Sequence, residues 1–226
     1  MEKKKNVPEI TGKLRNFMLN VPDEIEECTG IRIFGKMIRS VLFSTDVSII
    51  RNTDADAVIA VYPFTPQPTI TRAIMTTADI PVFCGVGGGL TGGKRVVDLA
   101  VEAEQQGALG VVVNAPTPNQ TIKKIASHLD IPIIVTVVSM NDDIKGRLSA
   151  GASIFNVSAA ADTPKVVKNL RKLYPEVPII ATGGPTGKSI KETVEAGANA
   201  ITWTPPSNGE IFKEIMKNYR QGKPHP

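Results

Sequence analysis

The chain has 226 residues, 42% of them hydrophobic, and a formal net charge of +4. That length suits one compact domain and argues against a second. Outside Lys3, Lys4 and Lys5 the basic residues are interspersed with acids, so no nucleic-acid partner is expected. No apolar stretch approaches the roughly 18 residues of a spanning helix, and no apolar segment comes after the lysine-led start; a cytoplasmic protein without a membrane partner is expected. Cys28 and Cys84 are too few for a disulfide framework and neither has metal-ligand spacing, so no metal is expected.

Residues 1–30 read as an N-terminal extension in which 13–20 has the pattern of a short amphipathic helix. Residues 31–39 alternate around Gly35 and Lys36, as a hairpin would, and are expected to form a lid over the amino-terminal ends of the later strands. From residue 40, runs rich in Val, Ile and Ala alternate with helical patterns. The strands are predicted at 40–45, 57–62, 81–86, 110–114, 132–138, 153–158, 178–182 and 200–204. Helices are predicted to open near Asp46, Gln67, Thr91, Pro118, Asn141, Thr163, Thr186 and Asn208. Gln-Gly-Ala before Leu109, Ala-Gly-Ala before Ser153 and Ala-Gly-Ala before Asn199 each end a helix, with the glycine as left-handed stop. Pro81, Pro132 and Pro178 each open a strand where no ladder donor is needed. One βα unit is reused eight times, and eight units close into a TIM-type (βα)8 barrel of the α/β class. The barrel with its hairpin is placed at 31–220 and a frayed tail at 221–226.

A barrel places its chemistry at the carboxyl ends of its strands. Parallel strands are buried on both faces, so polar residues late in them are informative, and period two sorts them by face. This test selects Ser44 with Asp46, Tyr62, Cys84, Asn114, Thr136, Asn156 with Ser158, Thr182, and Thr202 with Thr204 as inward-facing. Phe155 and Val157 are expected to meet the helices instead. The set holds one carboxylate and no His, Lys or Arg, a composition suited to holding a polar ligand by neutral hydrogen bonds. Asp46 reads either as a helix cap or as a general acid or base. Cys84 reads as a buried thiol or a nucleophile, but His128 and His225 are not sequence-placed to activate it.

Thr182, Gly183 and Gly184 close the seventh strand just before a helix that opens near Thr186 and carries Lys188. The pair of glycines reads as a tight turn or as an anion site formed by backbone N–H groups and the helix dipole. The Gly-Lys-Ser at 187–189 is not a P-loop, because the earlier glycine stands four residues before Gly187 rather than five. Pro205 and Pro206 withhold donors from the eighth loop, and Ser207 with Glu210 has capping-box spacing. After the third strand, Gly87, Gly88 and Gly89 form a second anion-loop candidate. Gly87, Gly89 and Gly92 have G-x-G-x-x-G spacing, but Asn114 stands where a ribose-binding acid belongs.

The run 182–185, with Glu195 to Ala200 and Thr202-Trp203-Thr204 after it, resembles the last quarter of phosphate-binding barrels, especially the 2-keto-3-deoxy-6-phosphogluconate aldolases. That resemblance implies a phosphorylated substrate, yet Asn156 stands where the family's Schiff-base lysine would, and an amide forms no imine. Residues 133–138 with 150–152 are similar to nitronate monooxygenase-like FMN barrels, which implies FMN as an alternative cofactor, its phosphate on Gly183 and Gly184. The whole chain resembles an uncharacterised group of bacterial barrels often labelled hydrolases. The reading is an enzyme, of lyase or isomerase type, acting on a small phosphorylated carbonyl compound without a resident cofactor. An FMN oxidoreductase, a metal-free hydrolase and a non-catalytic metabolite-binding barrel stand as alternatives, and a homo-oligomer is compatible with all of them.

Overall fold

The computed structural model describes residue 8, residues 10–14 and residues 17–224. Strands β1 (Ile31–Ile33) and β2 (Lys36–Ile38) form an antiparallel hairpin. The alternating units begin with β3 (Ser40–Phe43), α1 (Val47–Ile50), β4 (Ala57–Ala60), α2 (Pro68–Thr77), β5 (Val82–Gly87) and α3 (Lys94–Gln105). Then come β6 (Gly110–Val113), α4 (Asn119–Ala126), β7 (Ile133–Val137), α5 (Ile144–Ser149), β8 (Ile154–Val157) and α6 (Thr163–Leu173). The chain ends with β9 (Ile179–Thr182), α7 (Gly187–Glu195), β10 (Ala200–Trp203) and α8 (Asn208–Arg220). Strands β3 to β10 pair in parallel and close on themselves, β10 against β3. The protein is a (βα)8 barrel.

The repeated punctuation explains the regularity. Gly107, Gly151 and Gly197 adopt φ of +91°, +107° and +107°, the left-handed stop that a Cβ would oppose. Pro81, Pro132 and Pro178 lack an N–H, but their carbonyls accept from Val58, Val111 and Phe155 of the preceding strand, at 2.8, 3.0 and 3.1 Å. The proline thus enters the ladder through its acceptor alone. Two helices open later than the expectation: α3 at Lys94, after Gly93, and α5 at Ile144. In the latter case Asp142 is spent on the loop, where its Oδ2 accepts from the N–H groups of Val138 and Ser139.

The hairpin turn lies at Phe34 and Gly35, one residue before the expected Gly35 and Lys36. Both turn residues have positive φ, +46° and +84°, as a two-residue turn matching the strand twist requires, and Lys36 already belongs to β2. Ile31, Ile33 and Ile38 pack in one cluster with Val41, Ile59, Phe83, Val112, Ile134, Ile154 and Ile180. The hairpin is therefore the stopper of the barrel's amino end, and each buried isoleucine contributes on the order of 1.5–3 kcal/mol.

Among the described residues of 13–20 there is no helix; Arg15 and Asn16 lie outside them. Leu19 instead pairs with the segment after α1, its N–H donating to Asn52 O at 2.8 Å. A 3-10 turn at Asp23–Glu27 packs on α7 and buries Ile25 completely. His225 falls outside the described residues. Among the described residues no helix is long and apolar enough to cross a membrane.

Candidate functional site

Which side chains face the barrel axis is settled by the two apolar clusters. Val41, Ala57, Ile59, Phe83, Val112, Ile134, Ile154, Ile180 and Ala200 pack together with the stopper, so they point inward. Leu42, Val58, Cys84, Val111, Phe155, Val157 and Ala181 belong to the other cluster, with the helices. Period two then puts Thr136, Asn156, Thr182 and Thr202 inside, one step above Ile134, Ile154, Ile180 and Ala200. Ser158 and Thr204 continue those inner faces to the rim, where both are exposed.

Three residues depart from the expected register. Tyr62 lies past the end of β4 with the parity of the helix-side Val58 and Ala60, the inward residue there being Val61, and it borders the mouth from the loop rather than from the inner face of the strand. In β5 the inward positions are Phe83 and Gly85, so Cys84 faces the helices, its Sγ 3.9 Å from Met75 Sδ. Burial pushes its thiol up to about 12, and it is no nucleophile in this setting. In β3 the inward residues are Val41 and Phe43, which turns Ser44 away from the axis. Asp46 lies beyond that strand as the N-cap of α1, a carboxylate accepting four hydrogen bonds. Its Oδ1 takes the Ser48 hydroxyl at 2.7 Å, the Ser48 N–H at 2.9 Å and the Ile49 N–H at 3.3 Å; its Oδ2 takes Nδ2 of Asn208 at 2.5 Å. The Ser48 hydroxyl foremost, with these other donors, holds its carboxyl below the usual value of 3.8.

The carboxyl mouth opens into a cavity of about 590 Å³ between the ends of β3, β4, β6 and β10. Phe43, Asp46, Tyr62, Asn114, Thr204 and Asn208 are among its walls. Tyr62 and Asn114 also border a smaller recess of about 150 Å³ walled by Gly85, Gly87, Gly89 and Thr91. Tyr62 is fixed by the Gln67 N–H, which donates to its hydroxyl oxygen at 2.9 Å. Asn114 is held by its backbone: its N–H donates to Gly87 O at 3.0 Å and its carbonyl accepts the Thr117 hydroxyl at 2.7 Å. Arg147, 7% exposed and without an ion-pair partner among the described residues, donates to the carbonyls of Ala115 and Thr117 in the same loop. Sequence reasoning missed Phe43, Arg147 and Asn208; Arg147 acts on the neighbouring loop and Asn208 on Asp46 and Ser48 of the first unit, contacts that no local pattern announces.

Thr136, Asn156, Ser158, Thr182, Gly183 and Gly184 are outside the lining of both cavities. At the seventh loop the Gly183 N–H donates to Thr202 O, and a Cβ there would strike Ile201 and Ile190. Gly184 has φ +76°, Thr186 and Ser189 cap each other reciprocally, and a Cβ on Gly187 would strike the Glu24 carboxylate. Lys188 sits on the exposed face of α7, 3.9 Å from Glu192. Ser207 and Glu210 form a second capping box at the eighth loop. Of the donors on which an FMN phosphate would rest, the Gly183 N–H is bonded to Thr202 O, and at the helix opening the N–H groups of Thr186 and Ser189 are bonded to each other's side chains. Among the described residues no three His, Cys, Asp or Glu side chains gather as a metal cluster would require.

No protein family matches the chain in a family scan, and no curated protein matches it. Solved structures share its fold. A phosphonopyruvate hydrolase superposes with a TM-score of 0.63 at 14% identity, covering 85% of this chain and 85% of that one. The phosphoenolpyruvate phosphomutase of Streptomyces platensis subsp. rosaceus gives 0.61 at 11% identity, with 81% and 83% covered. The 4-hydroxy-tetrahydrodipicolinate synthase of Methylacidiphilum fumariolicum SolV gives 0.58 at 15% identity, with 81% and 74% covered. The likeness is one of fold: a (βα)8 barrel that, in this chain, carries a ligand-sized cavity at its carboxyl mouth.

Proposed function

We propose that the protein is an enzyme of lyase or isomerase type acting on a small phosphorylated carbonyl compound, without a Schiff-base lysine. The observation that carries this reading is the convergence of Asp46, Tyr62 and Asn114, from three different strand ends, on one open cavity of about 590 Å³. The solved neighbours lend support, being named for small phosphorus-bearing acids.

The chemistry available is enolisation. Asp46 takes the proton from the carbon beside the substrate carbonyl, and the electron pair of that C–H bond moves onto the carbonyl oxygen. The Tyr62 hydroxyl and the Asn114 amide donate to that oxygen as its charge develops. The enolate collapses by taking the proton back at a neighbouring carbon or by expelling a leaving group. The hydrogen bonds on Asp46 keep it in the ionised form a base needs, and displacement of Asn208 by an entering ligand would strengthen it as a base. The phosphate belongs at the Gly87 to Gly89 loop. Gly87 and Gly88 have φ of +125° and +110°, nothing lies within 4 Å of a Cβ on Gly89, and the loop borders the smaller recess.

The test is proton exchange. Incubated in deuterium oxide with glyceraldehyde 3-phosphate, dihydroxyacetone phosphate and phosphorylated keto acids, the protein should incorporate deuterium beside the carbonyl of at least one of them. Asp46→Asn keeps a capping side chain and should slow the exchange by about 100-fold or more. No exchange with any of these compounds, or undiminished exchange in the variant, contradicts the reading.

A further inference from the structure

The interior of the barrel is divided by chemistry. On β7, β8, β9 and β10, four neighbouring strands, the upper inward positions are Thr136, Asn156, Thr182 and Thr202. On β3, β4, β5 and β6 the inward positions beneath the rim are Phe43, Ile59, Gly85 and Val112, with Val61 and Asn114 one inward step above Ile59 and Val112 at the mouth itself. One half of the floor beneath the mouth is thus polar and uncharged, and the other is apolar.

Two atoms of the polar half lack the partner that a buried polar atom needs. Asn156 Oδ1 and Thr202 Oγ1 are shielded from solvent and have no hydrogen-bond partner, and Thr202 is only 6% exposed. Buried polar groups without partners are rare in folded proteins and call for an occupant. Thr202 lies one inward step below Thr204, which lines the large cavity, so its orphaned hydroxyl stands under the proposed site; Asn156, two strands away on β8, extends the same polar arc across the barrel interior, beyond the cavity lining.

We infer that this polar arc is the specificity floor of the site, and that it binds the uncharged hydroxyl-bearing end of the ligand. The inference rests on the reading of the mouth as the substrate site. Three threonine hydroxyls and one amide both donate and accept, which matches alcohol groups, themselves donor and acceptor. A carboxylate or phosphate placed there would find no Lys or Arg among the inward residues of these strands. The apolar arc opposite would pack against the ligand's carbon chain. The ligand would therefore lie across the barrel axis, its phosphate at the glycine loop beyond β5 and its hydroxyls on β8 and β10.

The experiment is calorimetric titration of the full chain with glycerol 3-phosphate, n-propyl phosphate, inorganic phosphate and glycerol. The variants are Asn156→Leu and Thr202→Val, which keep shape and remove the orphaned atoms. Neither should unfold the protein, since each deletes a polar atom without a partner. Wild type should bind glycerol 3-phosphate at least tenfold more tightly than n-propyl phosphate, and that ratio should fall toward one in both variants. A ratio near one in wild type, or a ratio kept in both variants, overturns the inference; variants that melt higher with the ratio kept would show a floor filled by internal water only. If the phosphates do not bind but glycerol does, and the variants lose it, the floor stands and the phosphorylated-ligand reading falls. Binding of none of the four probes overturns the floor.

Discussion

Asn208, at the start of the last helix, donates its Nδ2 hydrogens to Asp46 Oδ2 and to Ser48 Oγ, at 2.5 and 2.8 Å, across some 160 residues of chain. The pair clasps α8 to α1 where β10 closes on β3, and it does so on the wall of the large cavity. One carboxylate therefore caps a helix, joins the barrel's first and last units, and faces the space where a ligand would sit.

Asp46→Ala should destabilise the fold by about 1–2 kcal/mol through the lost cap, measured by urea denaturation. Because the folded carboxyl is depressed below 3.8, its stabilising contribution is complete above that pH and is lost as the pH falls below it. The wild type should lose more stability than the alanine variant between about pH 5 and pH 2. Equal acid sensitivity of the two would show that the clasp carries no charge-dependent stability.

The thiols should be silent in the folded protein. Burial raises Cys84 to about 12 and Cys28 to about 11, so neither forms thiolate at neutral pH. An Ellman titration at pH 8 should find neither sulfur reactive until denaturant is added, and Cys84→Ala should leave ligand binding intact. Fast modification of Cys84 in the native state would contradict its packing against Met75.

Gly88 and Gly89 should separate sharply on substitution. A Cβ on Gly88 would collide with Thr117 Oγ1 and press on the Asn114 backbone, and its φ is +110°; Gly89 has open space. Gly88→Ala should cost about 1–3 kcal/mol and weaken ligand binding by displacing Asn114, whereas Gly89→Ala should stay within about 0.5 kcal/mol. Thermal melts with and without phosphate esters distinguish these outcomes. Equal effects at both positions would sink the proposed contact between the glycine loop and the Asn114 loop.

Arg147→Met removes the guanidinium that holds two carbonyls of the Asn114 loop. With buried acceptors left unpaired, stability should fall by about 2–4 kcal/mol. Arg147→Lys, a single point donor, should recover only part of it. Amide exchange at Thr117 should quicken in both variants; unchanged exchange would mean that the loop holds without the arginine.

Much of the architecture is legible in the chain because three of the eight units, β5–α3, β7–α5 and β9–α7, are marked twice, by a proline feeding the strand and a glycine stopping the helix, as at Pro132 and Gly151. The inner face is legible on β7 to β10, where Thr136, Asn156, Thr182 and Thr202 mark it by polarity. On β3 to β5 that signal misleads, because the inward residues are Phe43, Val61 and Gly85, while their polar neighbours Ser44, Tyr62 and Cys84 have the opposite parity. A glycine leaves no polarity to read, and a phenylalanine inside a mouth looks like core. Asn208 and Arg147 act on partners 162 and 30–32 residues distant, so nothing local in the chain announces them.

The most direct test of the account is a crystal structure with the phosphate ester that most raises the melting temperature. The ligand should lie between Tyr62 and Asn114, its phosphate against the Gly87 to Gly89 loop and its other end above Asn156 and Thr202. A ligand seated against Gly183 and Gly184, or beside the hairpin at the barrel's amino end, would contradict the assignment of the site to the mouth between β3, β4, β6 and β10.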